Sequence, residues 1–351
     1  MASAQLCYPK HLRMMTIISP ILNLLNKTGE ESIKLGDDFL VRQATPSEVR
    51  DFRSMYQGGF MLADFRRDYT ETIHILESSF DAKSLKTYVP FDKFEGSDGQ
   101  YREWMRKNED VCRIARETLE NKLTFLRLMK AGQIACNIFA LKEKTREGER
   151  TGAVQVRYYV PWHYKNYPYE FELLSGDIDR FTSDYQLFGS KISIADYPSL
   201  RYFFKGYHEP LLQDRVLDIV IALESLYLSN EPEKTTFRYK LAMRCAAYIG
   251  EDYEEREKVR RTVLRAYDLR SGIVHGGKET KKKKATRQEA ETELEQIFPT
   301  IEGYLRTSLV EALREPNWPE ASYFDQLLLQ YITPTGRKEK GFTDPHGREA
   351  P

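Results

Sequence analysis

An arginine and a histidine stand five positions apart in the run Tyr267-Asp268-Leu269-Arg270-Ser271-Gly272-Ile273-Val274-His275-Gly276-Gly277. A guanidinium is a permanent cation whose planar fork holds two phosphate oxygens at once, and an imidazole exchanges a proton near neutrality. The two groups together suit phosphoryl chemistry, with His275 moving protons and Arg270 holding the phosphate. The run reads as the C-terminal end of a helix closed by Gly276-Gly277, where the last carbonyls favour a cation and raise the protonated population of His275. Five positions span roughly 140° of an ideal helix, so the pair does not share one stripe. Arginine has the reach to close that gap, and Ser271 lies one turn before His275. Taken alone, an Arg-x4-His pair at a helix end is also a common structural arrangement with ordinary glycine caps.

Two further features bear on this site. Glu224 interrupts an apolar run, and a carboxylate turned into a helical bundle needs a partner. Arg238, Arg244 and Arg270 are the candidates, so Glu224 is either one half of a structural ion pair, the favoured reading, or a direct participant in catalysis, and in both cases it could orient Arg270. Lys278, Lys281, Lys282, Lys283 and Lys284 follow the motif and would attract RNA in a salt-dependent way. Glu279 dilutes that field, and a solvated lysine loop is an equal reading. Other chemistries find no support. Gly272 to Lys278 fits G-x-x-x-x-G-K in form, but Glu279 stands where a P-loop needs Ser or Thr, and a helix rather than a strand precedes it. The chain has no G-x-S-x-G and no H-E-x-x-H, and His11, His74, His163, His208 and His346 are isolated from one another. No metal site and no cofactor is expected.

Positioning such a site is a task for long helices, and these begin after about His208. Leu212, Val216, Ile219, Val220, Leu223, Leu226 and Tyr227 share one helical face, and the segment Asn230 to Pro232 ends that helix. A second helix is expected from Lys234 to Ile249, with Phe237, Leu241, Cys245 and Tyr248 in register and Gly250 as its cap. Asp252 followed by Glu255 signals the start of a third, carrying Val259, Val263, Ala266, Tyr267, Ile273 and Val274. A fourth runs from Gln288 to Leu313, interrupted or bent at Pro299, and a fifth from Glu320 to Ile332.

The first two hundred residues are mixed. Glu31 to Thr45 reads as two strands around the turn Gly36-Asp37-Asp38. A polar helix follows from Pro46, and another is expected from Asn108 to Lys130, stopped by Gly132. Ile134 to Leu141 and Ala153 to Val160 read as strands separated by a charged loop, Lys142 to Gly152. Aromatics crowd Tyr158 to Phe171, where strand spacing favours core over a base-stacking surface. The expected class is α+β: a mixed α/β N-terminal domain over residues 1–198, then an all-α bundle over 199–335. Polar sequence begins at Thr333, and 336–351 reads as a disordered tail.

The bundle segments resemble the Apea-like branch of the HEPN superfamily. The motif Arg270 to His275 is similar to its R-x(4–6)-H ribonuclease motif. Ala222-Leu223-Glu224-Ser225-Leu226 and Phe237-Arg238-Tyr239-Lys240-Leu241-Ala242-Met243-Arg244 precede it in the order that branch shows, and the resemblance covers roughly Leu211 to Leu313. It implies a dimerising helical bundle that brings two Arg-His motifs together across a two-fold axis. It also implies a metal-independent endoribonuclease in which the RNA 2′-OH attacks the adjacent phosphate, leaving a 2′,3′-cyclic phosphate and a 5′-OH. His275 would then be the acid–base group and Arg270 the charge-stabilising one, with Ser271, Glu224, Arg244, Tyr267 and Asp268 in support. Many catalytic members carry Asn, Asp or His after the arginine; Ser271 stands there in this chain, a departure that bears on competence rather than on membership. By analogy the role would be phage defence or toxin-like, with an activating ligand or protein read by the N-terminal domain. A non-catalytic HEPN module binding RNA, a nucleotide or a protein partner is the alternative, and a scaffold whose dimer interface is the function is a third.

Bulk composition sets limits on all of this. Of 351 residues, 53 are Lys or Arg and 53 are Asp or Glu, so a generically basic nucleic-acid binder is disfavoured while a local basic site is not. None of the four cysteines forms a C-x-x-C pair, and buried thiols fit a reducing compartment. The apolar run Met14 to Leu25 contains Pro20 and Asn23 and is too short to span a bilayer. A cytoplasmic protein without a membrane segment is expected.

Overall fold

A computed structural model of the chain describes residues 14–56, 73–81, 106–136, 138–145, 148–155, 170–231, 236–274 and 283–332. The fold is α+β, with an antiparallel sheet in the N-terminal region and a helical C-terminal part. The strands are β1 (Met14–Pro20), β2 (Leu24–Asn26), β3 (Ser32–Gly36), β4 (Phe39–Gln43), β5 (His74–Asp81), β6 (Ile138–Thr145), β7 (Gly148–Gln155) and β8 (Phe171–Leu173). The helices are α1 (Pro46–Tyr56), α2 (Glu109–Met129), α3 (Ser175–Phe188), α4 (Pro198–Gly206), α5 (Leu212–Tyr227), α6 (Phe237–Ile249), α7 (Tyr253–Val274), α8 (Lys283–Arg314) and α9 (Ala321–Ile332).

Six strands form one sheet in the order β3-β4-β5-β1-β6-β7, and β2 pairs with β8 in parallel beside it. Side chains alternate between sheet faces, so Met15, Ile17, Leu76 and Leu141 join the main core under α2 while Ile18, Ile75 and Ala140 meet Phe52 of α1 on the other face. Glu48 locks α1 to that face by accepting from both Arg42 and Lys142 at 2.8 Å. In α2, Val111, Ala115, Leu119, Leu123 and Leu126 recur at helical spacing and are buried. Gly132 follows with φ +149°, and a Cβ there would lie 2.8 Å from the Phe171 Cα, so only glycine allows the chain to press against β8.

The expected hairpin around Gly36-Asp37-Asp38 is present as β3 and β4. The next pair departs from the expected strand–loop–strand pattern. Lys142 to Thr145 and Gly148 to Gly152 are not loop but the paired ends of β6 and β7, with Lys142 opposite Thr151 and Glu143 opposite Arg150. Lysine and glutamate are poor strand formers in isolation, but cross-strand pairing in a long hairpin overrides propensity. Ile134 and Cys136 are buried outside any strand, tethered where Ala135 bridges to Leu22. The range 156–160 and most of the aromatic run 158–171 lie outside the described residues; Phe171 is buried.

The buried core continues across Pro198, the first residue of α4, into the bundle. At the junction Arg127, wholly buried at the end of α2, stacks on Tyr207 at 4.4 Å and donates to the Ile134 carbonyl. Arg306 of α8 donates to the Arg127 carbonyl at 3.0 Å, and the Tyr207 hydroxyl donates to Glu302 at 2.7 Å.

Within the bundle, the apolar face expected for α5 is the face that is buried, from Val216 to Tyr227. Asn230 ends the following turn in the left-handed region, φ 61°, which asparagine tolerates better than most residues. Gly250 caps α6, though in an extended rather than a left-handed conformation. Its need for glycine is steric, since a Cβ would meet Arg256 Cγ at 2.5 Å and the Ala246 carbonyl at 2.8 Å. Asp252 accepts from the Glu255 amide at 2.8 Å and Glu255 accepts from the Glu251 amide, which starts α7. Pro299 does not interrupt α8, which runs unbroken from Lys283 to Arg314. An internal proline costs about 3 kcal/mol. The buried stripe Leu294, Phe298, Ile301, Leu305 and Leu309 offsets that cost and holds the helix in one piece. The free thiols Cys112, Cys136 and Cys245 are all buried. Among the described residues no helix is long and apolar enough to cross a membrane. The segment from Thr333 lies outside the described residues.

Candidate active site

The buried stripe of α7 is Val259, Val263 and Ala266 at alternating steps of four and three. One more step of four reaches Arg270. The helix therefore turns this arginine toward α5, near the end of the bundle, with part of it still open to solvent. On α5 the buried positions Val216 and Val220 are followed, at the same step of four, by Glu224. These two polar residues meet: Arg270 Nη2 lies 3.4 Å from Glu224 Oε2, with side chains 24% and 19% exposed.

The contact is an incomplete one. Glu224 Oε1 and Arg270 Nε are buried and have no hydrogen-bond partner among the described residues. Burial pushes the Glu224 carboxyl above its ordinary range, and the Arg270 guanidinium pulls it back down. Tyr267, half-buried one turn earlier on α7, places its ring 5.8 Å from the Arg270 guanidinium carbon, at the outer limit of a cation–π contact.

The other candidates are placed differently. Asp268 is not beside Arg270. It takes a forked pair of 2.7 Å bonds from Arg238, which ties the start of α6 to the end of α7, and that hydrogen bonding holds its carboxyl low. Arg244 is not part of the site either. It is wholly buried and donates to both Asp325 oxygens at 2.7 and 2.8 Å, to Glu231 at 2.8 Å and to the Tyr227 carbonyl at 2.9 Å. Of the three arginines considered for Glu224, the helix packing selects Arg270. Ser271 is half-buried, while Gly272 is exposed with open space where a Cβ would stand. Val274, half exposed, is the last described residue of α7. His275, Lys278, Lys281 and Lys282 lie outside the described residues. Lys283 and Lys284 are the first residues of α8, and their side chains lie outside the description.

No family model, curated protein or solved structure matches this chain. Among the described residues no group of three or more His, Cys, Asp or Glu side chains is placed to hold a metal ion. An open hollow of about 470 Å³ lies along the first half of α7, lined by Tyr253, Glu257 and Arg261 among others. It sits at the opposite end of that helix from Arg270, and Glu257 is already engaged by Arg260 and Arg261, so it is a surface ion cluster rather than the site.

Neither the Arg238–Asp268 bridge nor the choice of Arg270 for Glu224 was apparent from the sequence. The signal was present for the second. Each residue occupies the next position of an apolar stripe, and two charged residues that both continue buried stripes on neighbouring helices are expected to meet.

Proposed function

We propose that this protein is a HEPN-type endoribonuclease acting as a homodimer, with Arg270 holding and neutralising the phosphate and His275 carrying the proton. The observation that supports this best is the state of Arg270. A guanidinium closes an otherwise apolar stripe, reaches solvent at the end of the bundle, and faces one carboxylate with which it makes no hydrogen bond. Such a group has donors to offer a phosphodiester. His275 lies five residues further on in the same run.

In the reaction this reading implies, the RNA 2′-OH gives its proton to a base while its oxygen attacks the adjacent phosphorus. The bond to the 5′-oxygen breaks, and that oxygen takes a proton as it leaves. The products are a 2′,3′-cyclic phosphate and a 5′-OH. Arg270 offsets the charge that builds on the non-bridging oxygens. A second copy of the chain supplies a second imidazole, so that base and acid need not be the same histidine. The lysines from Lys278 to Lys284 lie next in sequence and would guide the RNA backbone. By the same analogy an activating ligand or protein would be read by the N-terminal region.

The test is incubation of the purified full-length chain with mixed single-stranded and structured RNA in EDTA, beside Arg270→Ala and His275→Ala variants shown to keep the parent molar mass. Cleavage by the parent alone supports the reading. Cleavage that survives in either variant removes its basis.

A further inference from the structure

Three arginine bridges that tie elements of this protein together share a geometry that the Glu224–Arg270 contact lacks. Arg244 forks onto Asp325 at 2.7 and 2.8 Å, Arg238 onto Asp268 at 2.7 Å twice, and Arg42 onto Glu48 at 2.8 and 2.9 Å. Each satisfies a guanidinium fork with both oxygens of one carboxylate, the arrangement that gives such pairs their strength. Arg270 instead meets Glu224 through a single approach of 3.4 Å without a hydrogen bond, and each partner keeps a buried polar atom unpaired. Neither group has another ionic partner among the described residues. Both are fixed on long helices, so the fork cannot close by a backbone shift without disturbing the Val259–Val263–Ala266 stripe. The pair therefore balances charge without using the directional capacity of either member, and both side chains remain partly open at the end of the bundle.

From this we infer that Glu224 is a displaceable counterion of Arg270, occupying the guanidinium in the empty site and giving it up when a phosphate group of a polynucleotide binds. The inference rests on the reading of Arg270 as a phosphate ligand and goes beyond it, because it makes a residue of the site an inhibitor of its own ligand. An incoming phosphate carries the same sign as Glu224 and must either move that carboxylate or bind beside it. Removing the charge while keeping the shape should tighten phosphate binding. A bridge with a merely structural role gives the opposite sign, since its loss loosens the site.

The experiment measures binding of a fluorescent, fully 2′-O-methylated RNA of mixed sequence, which cannot be cleaved through its 2′-oxygens, to the full-length chain at fixed salt. Glu224→Gln is expected to bind about fivefold more tightly than the parent, the upper end for a partly shielded ion pair. The gain should vanish when Arg270→Ala is added to it. Glu224→Ala removes the charge by another route and serves if the glutamine variant does not fold. Affinity that is unchanged or weaker in a folded Glu224 variant overturns the inference, as does a failure of parent and variants alike to bind the probe. The probe also separates this claim from the enzymatic one. If no RNA is cut but Glu224→Gln tightens binding through Arg270, the counterion stands and the nuclease reading falls. If RNA is cut and the variant binds as the parent does, the counterion alone falls.

Discussion

Replacing Arg270 by methionine keeps most of the side-chain volume and deletes the charge opposite Glu224, so it isolates the electrostatic worth of the pair. At 3.4 Å two unit charges attract by about 5 kcal/mol at an effective dielectric constant near 20. Water reaches about a fifth of each side chain, and screening together with the missing hydrogen bond reduces the expected loss to about 1–2 kcal/mol. The dependence on pH fixes the cause. Burial raises the Glu224 carboxyl, so its favourable contribution is present below the ordinary carboxylate range and is lost as pH rises through the folded value. Arg270 limits that loss by pulling the folded value down; without it the value climbs further and more stability is lost at neutral pH. Arg270→Met should therefore be less stable than the parent at pH 7.5, with a deficit that shrinks steadily toward pH 4.5. Urea unfolding at both pH values, in parent and Glu224→Gln backgrounds, reads this directly. A deficit of equal size at the two pH values, or one that persists once Glu224 is glutamine, refutes the electrostatic pairing.

Other perturbations follow from the same structure. Glu120 on α2 is 9% exposed, and burial, reinforced by Glu117 and opposed by Arg116 and Arg127, raises its carboxyl from 4.5 to about 7. Its contribution is thus present below 4.5 and lost as pH rises through about 7. Glu120→Gln should stabilise the protein by up to about 3 kcal/mol at pH 8 and leave it unchanged at pH 4, and a gain of equal size at both would contradict this. Arg244→Met strands Glu231 and Asp325 and opens the α5–α6–α9 junction; a loss of about 3 kcal/mol is expected in urea, and a loss below about 1 would show that junction to be dispensable. Gly272→Ala places a methyl in open space within α7 and should raise stability by about 0.5–1 kcal/mol; a lower melting temperature would mean that something packs closely against that face.

Much of the bundle was legible because its helices are long enough for the apolar period to identify the buried face. Val216 to Tyr227 on α5 and Val259 to Ala266 on α7 are buried as their spacing implies. The β3–β4 hairpin was legible because Gly36-Asp37-Asp38 carries its own turn chemistry between two short alternating runs. Elements whose stability comes from distant partners were harder to read. β1 pairs with β5 and β6, some sixty and one hundred and twenty residues away by number, and Met14 to Leu25 gives no local sign of which strands will flank it. The lysines and glutamates of β6 and β7 look like loop until the opposite strand is present. Pro299 marks a break by local rules, and only the packing of Phe298 and Ile301 on both sides of it keeps α8 whole. At the site, the sequence supplied Arg270 and Glu224 as candidates but not their pairing. Three arginines lie within reach on paper, and the choice depends on how α6 and α7 rotate about their axes.

The reaction we propose is cleavage of RNA through attack of the RNA's own 2′-hydroxyl on the adjacent phosphate, with Arg270 and His275 carrying the chemistry. Mapping the ends left on a short labelled RNA after incubation in EDTA is the decisive assay. The parent protein should leave 2′,3′-cyclic phosphate and 5′-OH ends, absent with Arg270→Ala and with His275→Ala at equal folded concentration. Intact RNA, 5′-phosphate ends, or the same cyclic ends from either variant would contradict it.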